Sequence, residues 1–406
     1  MDFRETGYGL IRAYIEKRAT KDASNRAAHH RTAHHRTARP SAAHPSEARP
    51  SAAPPNPHPN PYPLRTLFWE CTLQCNQYCR HCGSNASSAT SKDIPGADFI
   101  AVLDLLKRRL EARGWPLPFL AITGGEPLVR KDLSEVMHVA FRELGYTWGM
   151  TSNGVALSPG TAARLAQAGM STVSVSLDGY GATHDTQRNA PGSYETTMAN
   201  LINMTKNRVF KRIQVTTVVN PHNMDELETL HAVLLPLGLT SWRLASTDPI
   251  GRADESLMLT GAQHRELFEF IVSHSDERLP IIYACPSHLG EYEQRVRDHP
   301  FHCSAGQETM SILHNGDVAA CPNIPAHDDT IQGNIYDQDI NLDILEVWDT
   351  RYHFHRNRDI MFSEFCDACD VWDACRGGSR HSFDFEARTQ RKCIKKMLDF
   401  ERERGR

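Results

Sequence analysis

Between residues 63 and about 276 the chain alternates between two textures. Short, continuous, β-branched apolar runs fall at 64–71, 119–123, 147–151, 172–177, 212–219 and 241–245. Between and after them, positions 97–111, 131–144, 159–168, 194–206, 224–235 and 262–273 repeat apolar residues at helical spacing. Runs without inside–outside alternation read as strands buried on both faces, and amphipathic stretches of three to four turns read as their covering helices. Six strand–helix pairs in a row predict an α/β fold, a partial (β/α)6 barrel of the TIM type. In such a barrel the chemistry sits at the C-terminal ends of the strands.

The flanks differ. Residues 8–22 could form a short helix, but 26–63 are Ala, His, Arg, Ser and Pro, with the tandem HHRTA-HHRTA. Such a stretch buries too little apolar area to offset its ordering entropy, so 1–62 is predicted to be a disordered leader. This leader carries ten Lys/Arg against five Asp/Glu, on a chain whose net charge is −4. The body is therefore acidic, and the balance gives no case for nucleic-acid binding. No secretory signal and no run of membrane-spanning length occurs. Eleven cysteines without a signal read as metal ligands before disulfides, in a reducing cytoplasm. The expected division is leader 1–62, barrel 63–280 and a cysteine-rich domain 281–400.

The candidate chemistry begins after the first strand. In FWECTLQCNQYCRHCGS, Cys75, Cys79 and Cys82 stand at C-x3-C-x2-C spacing. Three clustered thiolates with no matching fourth suit a four-iron cluster with one open iron rather than a closed zinc site. Cys71, four residues upstream, reads as a buried strand residue, with a fourth-ligand role as the alternative. The later strands end on Thr123-Gly124-Gly125-Glu126-Pro127, Ser152-Asn153-Gly154, Ser176-Leu177-Asp178-Gly179 and Asp248-Pro249-Ile250-Gly251-Arg252. Singly, each is an ordinary strand-end turn. Together and in order they are a site.

With these residues in place, 63–400 resembles the radical S-adenosylmethionine (SAM) superfamily, on the 75–82 cysteines, the Gly124 to Pro127 motif and the Ser/Asp of VSLDG. The resemblance implies a [4Fe-4S] cluster whose open iron chelates the methionine moiety of SAM. The Gly124, Gly125, Glu126 and Pro127 turn would receive its ammonium. Ser152, Asn153, Ser176 and Asp178 would bond ribose or carboxylate, His81 would lie against adenine, and Arg188 would pair with the carboxylate. One-electron reduction of the cluster would yield a 5′-deoxyadenosyl radical, drawing on a flavodoxin- or ferredoxin-type reductant. No catalytic side chain is assigned beyond the cluster.

Downstream, Cys303, Gly316-x4-Cys321, Cys366-x2-Cys369-x5-Cys375 and Cys393 resemble the SPASM extension, which holds auxiliary iron–sulfur clusters. The family's next cysteine is here Ser379. Cys366, Cys369, Cys375 and Cys393 would make one closed auxiliary [4Fe-4S] set, for which zinc is the competing reading. Cys303, Cys321 and Cys285 would hold another, or that cluster is absent and Cys285 is a core residue.

Longer phrases, such as AITGGEPLVRKDL and CPNIPAHDDTIQGNIY, are similar to the radical SAM enzyme of a radical SAM/lipoprotein system. That resemblance implies modification of a peptide or small protein encoded nearby, with a lipoprotein-type partner among the candidates. Pro322, where sulfatase maturases carry a basic aspartate, counts against that activity. Arg243 and Arg252 are candidates to meet substrate carboxylates or SAM. The reading from a different class is a non-enzymatic iron–sulfur or zinc scaffold, which would need neither an open iron nor a SAM pocket.

Overall fold

The computed structural model describes residues 61–284, 287–299, 301–337 and 343–404. The expected leader up to residue 60, its short helix and Cys285 therefore lie outside the described residues. Residues Leu64–Arg406 cluster as one compact unit.

All six expected strands form: β1 (Thr66–Glu70), β2 (Phe119–Thr123), β3 (Trp148–Ser152), β4 (Met170–Ser176), β5 (Arg212–Val219) and β6 (Ser241–Ser246). They pair parallel in sequence order. The covering helices are α1 (Gly96–Ala112), α2 (Leu133–Arg142), α3 (Pro159–Gln167), α4 (Ala182–Arg188), α5 (Ser193–Lys206), α6 (Leu227–Leu234) and α7 (Gly261–His274). α3 starts where Ser158 accepts from the Thr161 amide with Pro159 in the first turn. α7 starts on a Thr260/Gln263 capping box. Both satisfy amides that a bare helix end leaves open.

The sheet extends past the predicted strands at both edges. β7 (Ile281–Tyr283) continues parallel beside β6, and β8 (Thr309–Ile312) pairs parallel with β1. β9 (Asp317–Ala319) and β10 (Ile331–Asn334) follow antiparallel, giving ten strands in the order β10-β9-β8-β1-β2-β3-β4-β5-β6-β7. The sheet does not close. The cysteine-rich part thus completes the barrel's first edge, and a C-terminal helix, α8 (Ile394–Arg404), packs on α7. There Gly261 lets the backbones meet: a Cβ would stand 2.3 Å from Met397 O.

The core lies between the sheet's convex face and the helices. Trp69 stacks on Phe99 at 3.9 Å. Trp148 donates Nε1 to Ala168 O, and Trp242 donates Nε1 to Thr217 Oγ1 on the same side. Strand alternation then turns Thr216 and Arg243 to the concave face. That face is polar and open to solvent: Ser174 Oγ meets Thr216 Oγ1 at 2.8 Å, and Gln214 donates to the same hydroxyl.

Candidate active site

The 75–82 loop leaves β1 and is held from three directions. The Cys75 amide donates to Ser87 O at 2.7 Å. The amides of Gly125 and Glu126 donate to Thr72 O and Gln74 O at 2.8 and 3.0 Å. A Cβ on Gly124 would stand 2.2 Å from Thr72 O, and one on Gly125 2.3 Å from Gln74 O; Gly124 also has φ +142°. Only glycine fits such a cradle. The two glycines thus set the cysteine loop's position, and two of this turn's amides are already engaged.

The third tether was not anticipated. Arg252 donates Nε to Cys79 O at 3.0 Å and Nη1 to Asn85 Oδ1 and Ala86 O, while its guanidinium lies 3.8 Å over the Tyr78 ring. The Arg252 amide also donates to Cys82 O. Expected to meet substrate or SAM, Arg252 instead buckles the cysteine loop to the segment after β6. Among the described residues Arg243 makes no contact with that loop; its charged neighbour is the sulfur of Cys321.

Cys75, Cys79 and Cys82 are free thiols, with Cys79 buried. Burial pushes the Cys75 thiol up to about 11 and also raises Cys79, partly offset by Arg188. Arg188 Nη1 reaches Cys79 Sγ at 3.6 Å. Such thiols ionise only when a metal or cation compensates them. The free thiols, the adjacent cation and the glycine cradle fit an iron–sulfur cluster at this loop.

Behind the loop lies a buried ion cluster. Asp178 is fully buried; its Oδ2 pairs with Arg188 Nη2 at 2.5 Å and with His81 Nε2 at 3.1 Å, and its Oδ1 accepts from the Val218 amide. Burial alone would raise its carboxyl, but Arg188 and His81 outweigh that and hold it well below the carboxylate range. Arg188 is raised in turn by Asp178 and Cys79 against its own burial. His184, whose Nδ1 accepts from the Asp178 amide, is held at about 4 by burial and by Arg188. The expected SAM-side residues His81, Asp178 and Arg188 therefore converge, chiefly on one another.

Glu126 is likewise fully buried, its carboxylate accepting from Ser152 Oγ, the Asn153 amide and the Leu128 amide. It ties the Gly124 to Pro127 turn to the end of β3, where Asn153 Nδ2 donates to Asn76 Oδ1 at 2.7 Å. Ser176 closes β4 on the concave face, paired through its backbone with Thr216. Reading by motif missed Asn220 and Asn223, which cap β5: Asn223 donates to Asp178 O, and Asn220 exchanges bonds with Gln187. The available signal was Asn-Pro-His-Asn directly after an apolar strand. Cys71 is fully buried with a raised thiol, in keeping with a strand residue.

In the C-terminal part, Cys366, Cys369, Cys375 and Cys393 line one pocket with Lys392, Lys395 and Lys396. Four thiols round one pocket are a donor set that can hold an iron–sulfur cluster or a single tetrahedral metal ion. Cys303 and Cys321 are mutual neighbours; burial first, then Cys303, pushes Cys321 up to about 12. Ser379 is buried, its Oγ 3.1 Å from Ser382 Oγ and 3.3 Å from His381 Nε2. Its hydroxyl is engaged by its own segment.

Comparison with known proteins agrees with this geometry. Residues 69–234 match the radical SAM superfamily, and residues 303–370 match the SPASM iron–sulfur cluster-binding domain. The mycofactocin maturase MftC of Mycolicibacterium smegmatis is 30% identical over 77% of this chain and 77% of its own length. The AdoMet-dependent heme synthase of Methanosarcina barkeri is 26% identical over 77% of this chain and 90% of its own. The fold is shared with Streptococcus suis SuiB bound to precursor peptide SuiA, with a TM-score of 0.60 and 19% identity over 78% of this chain and 72% of that one. Among the described residues no helix is long and apolar enough to cross a membrane. With its cysteine loop clamped by paired glycines at the C-terminal ends of parallel strands, and a second cysteine set beyond them, the chain belongs to the radical SAM superfamily and carries a SPASM domain.

Proposed function

We propose that this enzyme modifies a peptide or small protein, with residues 63–280 as the radical-generating core and 281–400 as the auxiliary-cluster region. Its family cofactors are SAM and a [4Fe-4S] cluster, which supply reductive cleavage of SAM to a hydrogen-abstracting 5′-deoxyadenosyl radical, and auxiliary iron–sulfur clusters, which would pass an electron to or from the substrate or anchor it. Cys75, Cys79 and Cys82 would hold the SAM-binding cluster. Gly124 to Pro127, Ser152, Asn153 and Ser176 would frame SAM. The Asp178–Arg188–His81 group would fix the loop's rear wall and place a cation against Cys79.

The observation that carries the substrate reading is the concave face itself. It is lined by Ser174, Thr216 and Gln214, it is open because the sheet does not close, and it presents Arg243 exposed. Among the described residues no carboxylate pairs with Arg243; its charged neighbour is the sulfur of Cys321. An exposed guanidinium without a carboxylate partner in a hydroxyl-lined trough suits the carboxylate of an extended peptide. The likeness to MftC supports the same reading. A lipoprotein-type partner, a flavodoxin- or ferredoxin-type reductant and a reducing compartment complete it.

The test incubates the reconstituted enzyme with SAM, dithionite and synthetic peptides encoded beside its gene. The reading predicts a SAM-dependent mass change in one peptide, lost in Arg243→Met. A mass change in a carboxylated tetrapyrrole, with none in any peptide, would overturn it.

A further inference from the structure

The interior of the C-terminal part holds a cation with no anion. Arg380 is fully buried, at 0% exposure. Its Nη2 donates to the carbonyls of Phe354, His355 and Asn357, while Nε and Nη1 meet no acceptor. No described carboxylate pairs with it. A second guanidinium, Arg358, lies close enough to repel it. Burial first, then Arg358, lowers Arg380 to about 9; beside the three carbonyls and the Phe354 ring, 5.9 Å from the guanidinium, the ionisable neighbour that favours its charge is the sulfur of Cys303. Arg358 donates Nη2 to the carbonyls of Arg376 and Gly378 and faces Cys375 of the other cysteine set. Two buried or half-buried cations without a carboxylate are strongly disfavoured unless an anion completes the site. Cysteines ligating iron as thiolates are that anion.

We propose that Arg380 is the fixed counter-charge of an iron–sulfur centre carried by Cys303 and Cys321, and that it raises that centre's reduction potential. The proposal rests on the iron–sulfur reading above and goes beyond it. Ser379 stands where the SPASM pattern expects a thiolate, yet the neighbouring position keeps a buried cation that no described carboxylate neutralises. Gain of an electron makes such a centre more negative, so a guanidinium held beside it in a dry interior favours the reduced form.

The test uses the full chain, reconstituted anaerobically, as wild type, Arg380→Met, Arg380→Lys and the exposed-site control Arg108→Met on α1. Iron is counted, and each paramagnetic signal is titrated with dithionite, which supplies the electron. One signal should move to more negative potential in Arg380→Met, recover in Arg380→Lys and stay put in Arg108→Met. If Arg380→Met instead loses iron, Cys303→Ser/Cys321→Ser must lose the same ~4 irons. The denaturant midpoint adds a measure independent of iron. Cys303→Ser/Cys321→Ser should be destabilised by orphaning Arg380, and adding Arg380→Met should recover part of that loss. Unmoved potentials with unchanged iron in Arg380→Met, or full iron in Cys303→Ser/Cys321→Ser, overturn the proposal. Intact 5′-deoxyadenosine formation in that case leaves the enzyme reading standing; its absence in the wild type would sink that reading instead.

Discussion

Gly124 and Gly125 sit where the two halves of the site touch, each with a backbone carbonyl of the cysteine loop inside the space a Cβ would take. Gly124→Ala or Gly125→Ala should therefore push the loop off its cradle. The expected loss is ~4 irons per chain, together with SAM cleavage. Gly160, in the first turn of α3, has nothing within 4 Å of a built Cβ. Gly160→Ala should be neutral or stabilising by up to about 1 kcal/mol. Equal iron in all three variants would mean that the cradle does not set the cluster. Asp178 makes a second case. Asp178→Asn leaves Arg188 and His81 buried without their shared anion, a change that typically costs about 3–5 kcal/mol. An unchanged denaturant midpoint would contradict the ion cluster. At this scale, sequence revealed the residues whose types chemistry demands: three spaced thiols, paired glycines and a strand-end aspartate. The tether role of Arg252, the residues Asn220 and Asn223, and the pairing of His81 and Arg188 with Asp178 stayed hidden. Those contacts join residues up to 173 positions apart, as between Arg252 and Cys79, and no local pattern marks them.

Among elements, the six core strands and their helices were legible because each buries a continuous apolar face. α4 was not: ATHDTQR has no apolar stripe, and the helix is held instead by Asp185, which accepts from the Gly192 and Tyr194 amides and Ser193 Oγ. β7 to β10 are only three or four residues each, too short for a period, and owe their form to neighbours already in place. α7 carries a pH prediction. His264 is fully buried, Nδ1 2.8 Å from Thr260 O, and burial followed by Lys392 holds it at about 3. The folded chain refuses a proton that the unfolded chain accepts below about 6.5, so the stability this residue confers is complete above that pH and declines below it, down to about 3. Between pH 7.5 and 5.5 the loss from His264 alone is about 1.4 kcal/mol. His264→Phe should flatten the stability-versus-pH slope by that amount, whatever its effect at pH 7.5. Parallel slopes would show that His264 does not titrate on unfolding.

At the scale of the molecule, the cysteine-rich part supplies the strand beside β1, pairing Thr66, Leu67, Phe68 and Trp69 with Thr309, Met310, Ser311 and Ile312. A chain truncated after Pro280 strips that edge from the strand that launches the cysteine loop. It should aggregate or fail to hold the SAM-binding cluster. A well-folded truncated barrel with ~4 irons would show the two parts to be independent. Every element so far converges on one claim, that the 75–82 loop holds a cluster whose work is to open SAM. The most direct measurement is 5′-deoxyadenosine formation from SAM and dithionite, with iron counted alongside, in the wild type and in Cys75→Ala/Cys79→Ala/Cys82→Ala. The account predicts product from the wild type and none from the variant, with iron lower by ~4 per chain and the C-terminal clusters retained. A wild type that holds iron but yields no 5′-deoxyadenosine, or a triple variant that still yields it, would contradict the account.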